Sequence, residues 1–351
     1  MNLCETEGYR GCTINIYYDP DADDPRSWDN VATFVCEHPH YSLGDVHDIE
    51  GEVERLFSDY VSDKKIIEYF VKTRGAKLVP GEEEDDSDFY YEYESSCRGE
   101  KYTHYIDADT KMQGEDGIAS QMADELDLNE KLQLIDETGE VVMLPISMYE
   151  HSGITLWLGS TDGHFDSQWD CSSIGFAYIE KSTAEKEMPQ RKLADGNNED
   201  WKKWAYDMME GEMETYDQFC KGEVYGYMIE DEYGEEGSDT DLCGCWGFYG
   251  DEGKKDLISE AKADIDGYLK KKTELREKNI SIIITNISQL SGMTFVFGGH
   301  SYRIGKDMFG YEFMEKADIK DSKVGVYDVV DIKTLDDILL NDIAKQIKVA
   351  A

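Results

Sequence analysis

The stretch VVMLPISMYEHSGITLWLGSTDGHFDSQWDCSSIGFAYIE, Val141 to Glu180, decides the fold. It holds three apolar, β-branched and aromatic runs, Val141 to Tyr149, Ile154 to Leu158 and Ile174 to Ile179, parted by Ser-Gly and Thr-Asp-Gly turn signals. Runs of this length and composition read as consecutive buried strands, because such side chains fit a pleated surface and turn residues interrupt it. The stretch is therefore expected to form the middle of a sheet.

Outward from it the sequence turns acidic. The 351 residues contain 77 Asp and Glu against 35 Lys and Arg, a formal net charge of -42. Acids exceed bases by 25 in residues 1–150 and by 15 in 151–250, but only by 2 in 251–351. That shift divides the chain into a strongly acidic domain, 1–250, and a near-neutral C-terminal module, 251–351. Hydrophobic residues at 40% and aromatics at 12% are enough to build cores, which excludes a disordered acidic tail. Eight scattered cysteines, no leader-like start and no apolar run of membrane-spanning length lead to the expectation of a cytoplasmic protein with reduced thiols and no membrane partner.

Along the chain, Cys12 to Tyr18 and Val31 to Cys36 read as strands. Apolar residues three and four apart from Asp48 to Val71 predict one amphipathic helix with Glu50, Glu52, Glu54, Asp59 and Asp63 toward water. Further helices are expected over Gly117 to Leu128 and over Asp200 to Phe219, the latter with a core stripe of Trp201, Trp204, Met208 and Tyr216 and an acidic rim of Glu210, Glu212 and Glu214. Val224 to Ile229 reads as a strand. In the tail, Lys254 to Lys278 and Thr334 to Ile347 read as helices, and Ile280 to Asn286 and Met293 to Phe297 as strands. The fold class that results is α+β: a mixed, mainly antiparallel sheet core flanked by acidic helices, with a small C-terminal α/β module.

The chemical constellations are weak. Asp19, Asp21 and Asp23 match the start of a calcium-binding loop, but Asp24 and Asn30 stand where that loop needs glycine and glutamate. Cys36, His38 and His40, and the pair Cys243 and Cys245, lack the paired spacing of zinc sites. Cys171 with His151 or His164 lacks the surrounding signature of a thiol nucleophile. No phosphate-binding glycine motif is present. Neither a metal nor a cofactor is expected, and no catalytic residue is assigned.

The acidity remains as the feature with a direction. Duplex DNA carries about two phosphate charges per base pair, so a charge of -42 equals that of about 20 base pairs. Carboxylates at i, i+4 on a helix lie about 6 Å apart, and those at i, i+2 on a strand about 6.6 Å apart, so either element can imitate a phosphate row. A salt-adapted surface is disfavoured by the bases, 27 Lys to 8 Arg, since such surfaces shed lysine. The candidate partner-binding carboxylates are Glu82, Glu83, Glu84, Asp85, Asp86 and Asp88, with Glu230, Asp231, Glu232, Glu235 and Glu236.

Several phrases in order resemble a family of acidic proteins encoded by phages and conjugative elements, a family without an established activity. They are Tyr17-Tyr18-Asp19, Ser27-Trp28-Asp29-Asn30, His40 to Asp45, Tyr149 to Thr155, Trp169-Asp170, Ile174 to Ile179, Tyr216 to Phe219 and Gly222 to Tyr227, spanning about residues 13 to 230. The resemblance implies an anti-defence role. The expectation is an antirestriction-like inhibitor that offers a DNA-mimicking surface to a DNA-binding host defence protein, such as a restriction enzyme or nuclease. It would bind no nucleic acid itself, and a homodimer is left open. Within these phrases Trp28, Tyr41, Trp169 and Tyr178 are expected to anchor the core. Asp29, Asn30, Asp45, His151, Ser152, Thr155 and Asp170 are polar enough to converge on a pocket, or to act as turn and cap residues. The alternatives to mimicry are an enzyme built on that pocket and an acidic scaffold.

Overall fold

In the computed structural model the described residues are 1–80, 89–97, 100–106, 114–162, 170–188, 198–231, 241–308 and 310–350. In chain order the strands are β1 (Leu3–Tyr9), β2 (Cys12–Tyr18), β3 (Thr33–Cys36), β4 (Lys77–Pro80), β5 (Phe89–Cys97), β6 (Glu100–Ile106), β7 (Val141–Glu150), β8 (Ile154–Leu158), β9 (Cys171–Glu180), β10 (Val224–Asp231), β11 (Asp241–Tyr249), β12 (Thr294–Phe297), β13 (His300–Lys306), β14 (Glu312–Asp318) and β15 (Asp328–Val330). The helices are α1 (Ile49–Tyr60), α2 (Asp63–Arg74), α3 (Gly114–Asp124), α4 (Leu128–Asp136), α5 (Lys181–Glu187), α6 (Asn198–Lys221), α7 (Gly250–Thr285), α8 (Ile319–Ser322) and α9 (Asp337–Ala350). The fold is α+β.

The 141–180 stretch supplies three of the four strands of a sheet ordered β3-β9-β7-β8. β9 pairs antiparallel with β7 from Val141↔Glu180 to Tyr149↔Cys171, and with β3 from Thr33↔Tyr178 to Cys36↔Gly175. Strand side chains alternate between faces. Phe176 and Tyr178 therefore join one core with Leu56, Phe57, Phe70, Met122 and Ile135 of the α1–α4 layer. Ala177 and Ile179 join the other with Trp201, Trp204, Met209, Met213 and Tyr216 of α6. Burial on both faces explains why these strands read as nearly continuous apolar runs. Gly175 sits at a bulge in the β7–β9 ladder, and a Cβ there would fall 1.8 Å from the Val35 carbonyl oxygen. Only glycine lets β3 and β9 approach this closely.

Three expectations are corrected. The single helix over 48–71 is two, because Val61 leaves the helix in extended conformation to bury its side chain, and α2 restarts at Asp63. The strand expected over Ile280 to Asn286 is the last turn and a half of α7. There Asn279 and Ile283, four residues apart, are both buried, and packing overrides β-branched propensity. Trp28 and Tyr41 are exposed, not core anchors, whereas Tyr178 is buried as expected and Trp169 lies outside the described residues. β1, whose sequence LCETEGY is largely polar, had no apolar signature to reveal it.

The chain forms two compact units. One comprises residues 1, 18–225 and 247–253, and the other 2–17, 226–246 and 254–351. In the second, the sheet β1-β2-β10-β11 carries the first half of α7, which buries Leu257, Ala261 and Ile265 and is tied on by Lys254 to Glu5 (2.7 Å), Lys262 to Glu7 (2.6 Å) and the Tyr227 hydroxyl to Asp264 (2.7 Å). The antiparallel meander β12-β13-β14-β15 shares a separate core with Ile283, Leu339, Leu340 and Ile343.

In the first unit Arg55 of α1 joins Glu52, Asp59, Glu180 and the Tyr178 hydroxyl, locking the helix layer to β9. Burial, reinforced by the hydrogen bond it donates to Glu52, pushes the Tyr178 phenol up to about 12. A phenol raised from its ordinary value near 10 favours the fold fully below pH 10, and that contribution is lost as pH climbs through about 12. Tyr178→Phe is accordingly expected to flatten the fall in stability across this window, measured by urea denaturation at several pH values. An equally steep fall in the variant would show that the phenol is not its source.

Candidate functional site

The polar residues of the family-like phrases fall into two groups. The first surrounds Arg26, whose side chain is only 4% exposed. Its guanidinium donates to both oxygens of Asp45 (3.0 and 2.7 Å), to Glu212 of α6 (2.9 Å) and to the Ala32 carbonyl (2.7 Å), and it lies over the Phe34 ring at 3.9 Å. Burial alone would lower its pKa, but hydrogen bonds to Asp45 and Glu212 outweigh that and leave it raised. Asp45 also accepts from the Phe34 N–H (2.7 Å), and Glu212 from the Val31 N–H (2.8 Å). Asn30 donates to the Pro25 and Trp28 carbonyls as a turn residue, and Asp29 is exposed beside it. Gly44, at φ +75°, passes so close to Phe34 that a Cβ would lie 2.6 Å from its carbonyl oxygen, and its N–H donates to the Tyr216 hydroxyl (2.9 Å). Asp45 is thus engaged, through Arg26, in holding β3 and its flanking loop against α6, and Asn30 in closing the turn before β3.

The second group lies at the β7–β8 hairpin. His151 is 67% exposed, with its Nδ1 3.4 Å from Asp170. Ser152 turns the chain at φ 57° and donates to the His151 carbonyl (2.6 Å), and Thr155 stands opposite Tyr149 in the ladder. Beside it runs the loop after β3, which forms an open cleft of about 420 Å³ lined by Cys36, Glu37, His38, His40, Tyr41, Ser42 and His47. His38 stacks on Tyr41 at 5.2 Å and lies 3.8 Å from Glu150, and the Tyr41 hydroxyl donates to Glu150 (3.0 Å). No hydrogen bond among the described residues links His151 to the Arg26 group.

The cleft offers imidazoles for proton transfer and no thiolate. Burial, with Asp45 nearby, pushes the Cys36 thiol up to about 12, and burial does the same to Cys220. Among the described residues no group of three His, Cys, Asp or Glu side chains is arranged to hold a metal ion. Asp19 closes an Asx turn on Asp21, and Asp24 caps the short 3₁₀ turn Pro25–Ser27.

Of the candidate partner-binding carboxylates, Glu230 is exposed on β10 and Asp231 ends that strand, while 82–86, 88, 232, 235 and 236 lie outside the described residues. α6 supplies others. Its expected rim of Glu210, Glu212 and Glu214 is corrected, because residues two apart on a helix point in widely different directions and Glu212 turns in to Arg26. The outward row is Asp207, Glu210 and Glu214, all exposed and, among the described residues, without an ionic or hydrogen-bonding partner. Its three- and four-residue spacing was there to be read in the sequence once Glu212 was excluded.

No family model, no curated protein and no solved structure matches this chain. The likeness to mobile-element proteins thus rests on the phrases quoted above.

Two outcomes are expected. Arg26→Met leaves Asp45 and Glu212 partly buried without their cation and costs about 3–5 kcal/mol in chemical denaturation; a loss below about 1 kcal/mol would mean that the fork is dispensable. Cys36 and Cys220, with very little thiolate at neutral pH, stay unmodified by iodoacetamide in the native protein and react in guanidinium, as read by peptide mass mapping.

Proposed function

We propose that this chain is an anti-defence protein of the antirestriction type, from a phage or mobile element, that presents a DNA-like acidic surface to a DNA-binding host defence protein in the cytoplasm. The observation that carries the reading is the Asp207, Glu210, Glu214 row on α6, three exposed carboxylates without a partner among the described residues, on a helix whose other face packs into the core. Over about 10 Å of helix axis the row carries roughly one charge per 5 Å, against one phosphate per about 3.4 Å along a DNA strand. It is sparser than a strand of DNA, so other acids of the sequence have to add to it. The total of -42 in the sequence provides that reserve. A protein that binds DNA by neutralising phosphates with Lys and Arg would gain the same counterion release from such a surface.

The enzyme reading loses support from the Arg26 group, since Asp45 and Asn30 already have structural partners, and what remains for it is the His-lined cleft beside His151. The test is capture of DNA-binding proteins from a bacterial lysate on immobilised protein at low salt, with duplex DNA as competitor. Displacement by DNA and by raised salt is expected. The triple charge reversal Asp207→Lys, Glu210→Lys, Glu214→Lys should retain at least about tenfold less, equivalent to about 1.4 kcal/mol. His151→Ala should retain as much as the parent. Retention indifferent to DNA and salt would rule mimicry out.

A further inference from the structure

In the second unit the C-terminal meander ends on an open edge. We propose that the segment Lys323 to Asp331, which contains β15, is the surface on which two copies of this chain meet across a two-fold axis. β15 closes the order β12-β13-β14-β15, pairing antiparallel with β14 from Met314↔Val330 to Lys316↔Asp328, and among the described residues no strand lies on its other side. An edge strand offers its N–H and C=O groups to another chain unless its side chains forbid the approach.

These side chains invite it. Val330 packs on the core of the meander, so by strand alternation Val329 stands on the opposite face, 68% exposed. Val324 and Val326, in the turn that leads into the strand, are 78% and 61% exposed. Apart from Met1, every large apolar side chain among the described residues that is as exposed as Val326 or more lies between Val296 and Val329. Single apolar residues scattered over a surface need no explanation, but such crowding in one short stretch marks a surface that another molecule covers.

Charge identifies that molecule. Over residues 1–250 acids exceed bases by 25 and 15, 40 in all, so two copies approaching through the acidic domain repel each other. Residues 291–330 hold five Lys and Arg against six Asp and Glu, and a stretch so balanced lets a second copy come close. A strongly basic partner would be drawn to the acidic domain instead. The segment is also complementary to itself. It opens on a base, Lys323, and closes on acids, Asp328 and Asp331, with the three valines among them. An antiparallel meeting about a two-fold axis sets the basic end of each copy against the acidic end of the other and valines against valines, which is the self-complementarity an isologous interface requires. The nearest charges of the sheet are already matched: Arg303 pairs with Glu315 (2.9 Å) and lies over the Tyr327 ring at 3.5 Å. The acidic surface of α6 plays no part in this contact.

Analytical ultracentrifugation of the full chain tests it. A monomer–dimer equilibrium is expected whose dimer grows with protein concentration and with added salt, because salt screens the repulsion between two acidic copies and leaves the valine contact intact. Capture of DNA-binding proteins weakens with salt, so the two readings fail separately. Val326→Asp with Val329→Asp should weaken the dimer at least about tenfold, with the far-ultraviolet circular dichroism unchanged. Lys323→Asp and Asp328→Lys, each alone, should dimerise more weakly than the parent, since each sets like charges together. Their equimolar mixture should regain the dimer, which a misfolded variant would not do. A parent that stays monomeric at every salt concentration, a dimer indifferent to the valine substitutions, or a mixture no more dimeric than its parts would overturn the proposal.

Discussion

One buried guanidinium holds the acidic unit together. Arg26 gathers Asp45, Glu212 and a main-chain carbonyl, and through those two carboxylates it fixes the N–H groups of Val31 and Phe34. β3 is a short edge strand with only four ladder positions on β9, too few to set its path alone. The fork supplies the missing constraint, and it does so from α6, the helix that covers the same sheet. Removing the cation would leave two partly buried negative charges in a chain that already repels itself, so the loss is expected to exceed that of an ordinary surface pair.

The same logic recurs wherever arginine is described. Arg10 meets Asp266, Arg55 meets Glu52 and Glu180, Arg74 meets Glu130, Arg276 meets Asp337 and Arg303 meets Glu315. The planar fork can bridge several acceptors, which a lysine ammonium does less rigidly. With so few arginines in so acidic a sequence, each described one sits at a joint between elements. The acids left over are then free to form an outward coat, as on α6.

Much of this architecture could be read from residue pattern, and the failures have physical causes. The strands of the 141–180 stretch were legible because both faces are buried and their apolar runs are unbroken. β1 was not, because its polar sequence is held by ladder bonds and by ion pairs to α7 that no local pattern encodes. The break at Val61 and the helical state of Ile280 to Thr285 are tertiary decisions, made by what each side chain packs against. The site was less legible still. Glu212 looks like a surface acid in the sequence and Asp45 like a pocket or turn residue, and only their distance from Arg26 reveals them as structural. His151, by contrast, is as exposed as its Ser-Gly surroundings imply.

The interleaving of the two units bears on how such a gene can change. Neither unit is a continuous segment, because the chain crosses between them after residues 1, 17, 225, 246 and 253. A recombination junction placed at the charge boundary near residue 250 would part the sheet β1-β2-β10-β11 from the helix that buries Leu257, Ala261 and Ile265. The near-neutral tail is therefore not separable as a whole, because its first helix packs on strands that come from earlier in the chain. On exposed faces such as the outer row of α6, by contrast, carboxylates can be gained or lost without disturbing the core beneath.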